Sequence, residues 1–72
     1  MTGDEFRHVL HHEPFRPFTI RMADGREFNV AHRDFVAVSP TGRTVIVYQD
    51  DENFNVLDLL LMSELQVVNG SA

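Results

Sequence analysis

The chain has 72 residues and a net charge of −5, from eleven Asp or Glu against six arginines, with no lysine and no cysteine. One short domain of this kind buries only about 60% of the surface its unfolded form exposes, and here neither disulfides nor thiolate metal sites nor thiol catalysis can supplement it. The acidic balance argues against nucleic acid as a partner. No apolar run approaches the roughly 18 residues of a membrane span, and MTGDEFRHVL lacks the apolar core of a signal peptide, so a cytoplasmic protein without a membrane partner is expected.

The chain begins with helical signals. Thr2 and Glu5 have the spacing of a capping box, Asp4 and Glu5 sit at the positive end of the helix dipole, and Phe6, Val9 and Leu10 form one apolar stripe. Pro14 pushes the residue before it out of the α region, which gives a helix over 3–12. EPFRPF then forms an extended connector with Phe15 and Phe18 as apolar anchors.

PFTIRMADGREFNV alternates on both sides of Asp24-Gly25 and reads as a hairpin of strands 17–22 and 26–31. A two-residue turn would set Ile20 against Asn29 and place the apolar sets of the two strands on opposite faces. A three-residue loop, Ala23-Asp24-Gly25, with Gly25 left-handed in a bulge, sets Phe18 against Val30, Ile20 against Phe28 and Arg21 against Glu27. The same device is expected in VAVSPTGRTVIVY, strands 35–39 and 43–49. There Pro40 and Gly42 make the turn, and Ser39 faces Arg43, Ala37 faces Val45 and Phe35 faces Val47. Between the hairpins, AHRDF breaks the alternation and implies a bend or bulge, with His32 or Asp34 satisfying backbone amides there.

QDDEN reads as a solvated acidic loop. A strand over 53–61 carries Phe54 and Val56 on one face and Leu57, Leu59 and Leu61 on the other, with Phe54 assigned to the core. MSEL reads as one helical turn, 65–69 as a last strand, and Asn69-Gly70-Ser71-Ala72 as a tail.

The expected fold is mainly β (α+β): an N-terminal helix followed by a strongly bent five-stranded antiparallel small barrel. This order resembles the Sm-like and SH3-like barrels. Asp24-Gly25 matches the first Sm hairpin, but GREFNVAHRDFVAV lacks the glycine of the next Sm strand, and Asp34 is followed by Phe35-Val36-Ala37. Leu60-Leu61-Met62-Ser63 stands where Sm proteins carry Arg-Gly, so no RNA-site residue carries over. PFRPF, the Asp-Gly hairpin and the HxDF segment are also similar to short uncharacterised bacterial proteins, a likeness that implies no activity.

Chemistry-bearing clusters are few. His8 and His12 lie one helical turn apart with His11 beside them, the spacing of a two-imidazole metal site, against which stands a merely histidine-rich helix face. His32-Arg33-Asp34 unites an imidazole and a carboxylate, but no nucleophile, phosphate loop or glycine elbow accompanies them. Gly25 and Gly42 are structural turn residues, and neither they nor Gly70 form a phosphate cradle. Catalytic residues and cofactors are therefore expected to be absent. The excess of apolar residues in Val56–Met62 suggests an oligomer interface through Leu57, Leu59, Leu61 and Met62. The reading that follows is a non-enzymatic binding or assembly module, homo-oligomeric, with a protein partner as a further candidate. An Sm-like RNA-binding ring and a metal protein using the N-terminal histidines are the alternatives.

Overall fold

The computed structural model describes residues 1–68, in which one α-helix, α1 (Gly3–Leu10), precedes six strands. These are β1 (Phe18–Met22), β2 (Glu27–Val30), β3 (Val36–Val38), β4 (Thr44–Tyr48), β5 (Phe54–Asp58) and β6 (Met62–Val67). They form two antiparallel three-stranded sheets, β2-β1-β6 and β3-β4-β5, where a single bent five-stranded barrel was expected. The expected tail, with Gly70, and the last residue of the 65–69 strand lie outside the described residues.

The helix starts as its sequence dictates. Thr2 Oγ1 accepts from the Glu5 amide at 3.1 Å and Glu5 Oε1 accepts from the Thr2 amide at 2.8 Å, completing the capping box. It ends at Leu10, two residues short of the expected 12. Phe6 and Leu10 are buried, and the Phe6 ring meets Phe18 edge-on at 5.9 Å, so the helix closes the space between the sheets.

The first hairpin has the expected register, Phe18 against Val30 and Ile20 against Phe28. The Gly25 amide donates to Met22 O, the Met22 amide donates to Arg26 O, and Gly25 has φ +96°, the left-handed conformation that the three-residue loop requires.

The second hairpin differs from expectation by one residue. Val36 faces Val47, Ala37 faces Ile46 and Val38 faces Val45, and the Ser39 amide donates to Thr44 O. The turn over Pro40 and Gly42 forms as read, with Gly42 at φ +75°, but Arg43 joins the loop because Ser39 Oγ accepts from both the Arg43 and Thr44 amides. The slip is favourable: it sets Val36 and Val38 on the face of the buried Val45 and Val47 and sends Ala37 outward.

The bend at AHRDF is a 3-10 turn, Arg33–Phe35, closed by the Phe35 amide donating to His32 O. No side-chain cap comes from His32, whose ring packs edge-on against Phe35 at 5.5 Å, and Asp34 is exposed.

A second 3-10 turn covers Leu59–Leu61, earlier than the expected MSEL, because Asp58 Oδ1 accepts from the Leu60 amide and caps it. β5 therefore stops at Asp58, and MSEL becomes the start of β6, paired with β1. Ser63 is left unpaired as a bulge between the Arg21–Glu64 and Met22–Met62 pairs, its Oγ donating to Arg21 O.

The core comprises Phe6, Leu10, Phe18, Ile20, Met22, Val30, Val45, Val47, Leu57, Leu59 and Met62. Phe54, assigned to it from the sequence, is instead 58% exposed.

Candidate functional site

The two sheets have opposite outer surfaces. On the first, Arg21 spans all three strands: Nη1 lies 2.9 Å from Glu27 Oε2 on β2, and Nη2 donates to Gln66 Oε1 on β6 at 2.7 Å. Its Nε is 3.4 Å from Glu64 Oε1, an ion contact too poorly aligned to be a hydrogen bond. Thr19 donates to Asn29 Oδ1 beside it. This is the polar outer face usual for an antiparallel sheet with one side in water.

The outer face of β3-β4-β5 carries the opposite pattern. Alternation sends Val45, Val47 and Leu57 inward, so Ala37, Ile46 and Val56 form one cross-strand row outside, with Tyr48 opposite Phe54 in the next. Phe54 and Val56 are 58% and 61% exposed, and the Tyr48 and Phe54 rings lie 5.9 Å apart. The 49–53 loop, with Asp50, Asp51 and Glu52, borders one end of this face. The other end carries Arg43, whose Nε is 3.1 Å from Asp58 Oδ1. That hydrogen bond, and then the Leu60 amide, hold the Asp58 carboxyl below its ordinary value.

The residues expected at an oligomer interface are divided differently. Leu57, Leu59 and Met62 fill the chain's own core and offer no surface, while Leu61 is 54% exposed. On the outer face of β3-β4-β5, Tyr48, Phe54 and Val56 are exposed instead, because Phe54, expected in the core, points outward with Val56. The period-2 pattern of TVIVY against FNVLD carries the signal once Leu57 is aligned with Val45.

Five of the six arginines are committed within the chain. Besides Arg21 and Arg43, Arg26 Nε lies 2.8 Å from Asp24 Oδ2, and Arg7 Nη2 donates to Ser39 O and Pro40 O. Arg33, at the centre of the His32-Arg33-Asp34 cluster, donates from Nε to Leu10 O at 2.8 Å and from Nη2 to His12 O and to Glu13 Oε1, with its guanidinium over Phe15. It binds the carbonyls that the end of α1 leaves unpaired. Helix and 3-10 turn are thereby joined. Gly25 and Gly42 hold their turns, and Gly42 also approaches Gly3 so closely that an added Cβ would lie 3.3 Å from the Gly3 Cα.

His8 is exposed, His12 is half-buried, and both border a cleft with Val9, Arg16 and Val67. Among the described residues no group of three or more His, Cys, Asp or Glu could hold a metal ion, and no helix is long and apolar enough to cross a membrane. Comparison with protein-family models, curated proteins and solved structures finds no match for this chain.

Proposed function

We propose that the chain is a non-enzymatic assembly module that pairs with a second copy of itself through the outer face of β3-β4-β5. The observation that carries this reading is the contrast between the sheets: a charged outer surface on one, and an uninterrupted Ala37–Ile46–Val56 row beside Tyr48–Phe54 on the other. A standard interface buries about 800 Å² per partner, which is on the order of one face of a molecule measuring 30 × 28 × 24 Å. Charge selects the orientation. Stacking with strands parallel would set the acidic 49–53 loops of both copies against each other. A twofold axis across the strands places each loop toward the Arg43 end of the second copy.

At fold level, the two sheets are read as halves of an Sm-like or SH3-like barrel, with β2 and β3 one strand broken by the turn at Arg33–Phe35. The strand orders and the 3-10 turn before β6 support this. The RNA-binding reading has less support, because the arginines are largely spent on internal carboxylates and carbonyls. A metal reading through His8 and His12 lacks a third ligand among the described residues.

Mixed-label NMR tests the assignment. Contacts from the Val56 methyls of a labelled copy to Phe54 or Tyr48 ring protons of an unlabelled copy are expected. Their absence at millimolar concentration would remove the proposed interface.

A further inference from the structure

The cleft between α1, the connector and the end of β6 has about 230 Å³ and is bounded by His8, Val9, His12, Arg16 and Val67. We propose that it binds a small carboxylate bearing an apolar tail. Of the five bounding residues Arg16 is a cation, two are histidines and none is acidic. The other two, Val9 and Val67, provide apolar wall. His8 in α1 and His12, just beyond the end of the helix, both line the opening. His12 is also oriented: its Nδ1 lies 3.0 Å from Pro14 O, and since a carbonyl only accepts, Nδ1 carries the proton and donates. That leaves Nε2 as the ring's remaining polar atom for a ligand.

Arg16 decides between anion and metal. A guanidinium at the rim repels a divalent cation and attracts a carboxylate, with which it can form two parallel hydrogen bonds. Glu13, three residues before Arg16, is held by Arg33 at 2.7 Å. Size sets the ligand class, since pockets for drug-sized molecules span roughly 300–1,000 Å³ and this cleft, at about 230 Å³, falls below that range. A benzoate- or isovalerate-sized acid suits it. The site lies on elements separate from the outer face of β3-β4-β5, so it stands or falls independently of self-association.

Titration of the isotopically labelled full chain with benzoate, followed by NMR, tests the proposal. Saturable shifts of the Val9 and Val67 methyls and of the His8 and His12 ring protons are expected, with none from benzyl alcohol or benzylamine at equal concentration. Arg16→Gln, at an exposed connector position, should weaken benzoate about fivefold or more while the melting temperature stays unchanged. Equal response to benzyl alcohol, no change on Arg16→Gln, or shifts produced by zinc and not by benzoate would each overturn it.

Discussion

Arg33 Nε donates to the carbonyl of Leu10 at 2.8 Å, across 23 residues of sequence, and so ties the 3-10 turn between the two sheets to the last residue of the helix. Leu10 is itself core, so the bond fixes the depth at which the helix sits.

Arg33→Ala should remove this bond together with those to His12 O and Glu13. Hydrogen bonds from a charged donor contribute about 1.5–3 kcal/mol, and solvent reaches a third of this side chain, so a loss of about 2 kcal/mol is expected. Urea unfolding measures it. Arg33→Lys should recover only part, because an ammonium cannot reach both carbonyls in the guanidinium's fork.

The two turn glycines should respond unequally to alanine. Gly25 faces open space, so Gly25→Ala incurs only the left-handed backbone penalty of about 1–2 kcal/mol. At Gly42 the same penalty is joined by a Cβ pressed to 3.3 Å from the Gly3 backbone, with Arg7 beside it. Gly42→Ala should therefore lower the melting temperature more than Gly25→Ala, and equal shifts would contradict the helix–turn contact.

Local rules made much of this fold legible in the sequence. Thr2 and Glu5 cap as their spacing requires, and the first hairpin has one register that aligns both apolar sets. The second hairpin slipped because a single hydroxyl, Ser39 Oγ, accepts two amides and draws Arg43 into the loop. The helical turn moved to Leu59–Leu61 because Asp58 caps it, a signal present in the sequence but outweighed by reading the leucines as strand. Arg33 was illegible for another reason: its partners are carbonyls more than twenty residues away, which no spacing pattern encodes. For the candidate site, the apolar excess was visible but its location was not. Three of the four leucine and methionine positions singled out turned inward, and the exposed face comprises residues of β3, β4 and β5.

Acid should destabilise the chain through Glu5, Asp24 and Asp58. Glu5 is held below its ordinary value by the Thr2 amide and hydroxyl, Asp24 by the Arg26 amide and guanidinium, and Asp58 by Arg43 and the Leu60 amide. Each folded-state value is depressed, so the unfolded chain takes up protons first. The stabilisation is complete above the ordinary values of 4.5 for Glu5 and 3.8 for the aspartates, and is lost as pH falls through the lower folded values. Urea midpoints between pH 6 and pH 2 should fall over that window, and Asp58→Asn should flatten the decline.

Short RNA should bind weakly and with a shallow salt dependence, because few of the arginines are available to displace counterions. Fluorescence anisotropy at 50 mM and 200 mM salt measures this. A steep slope would favour the RNA-binding ring.

Self-association through the outer face of β3-β4-β5 is tested most directly by sedimentation equilibrium of the wild-type chain and of Val56→Asp. Val56 is 61% exposed, so the substitution leaves the core intact and places a charge at the β5 end of the Ala37–Ile46–Val56 row, beside Phe54. The wild type should sediment as a dimer at tens of micromolar, and Val56→Asp as a folded monomer of 8.3 kDa with an unchanged circular dichroism spectrum. A wild-type chain that stays monomeric at that concentration, or a Val56→Asp chain that associates as well as the wild type, would contradict it.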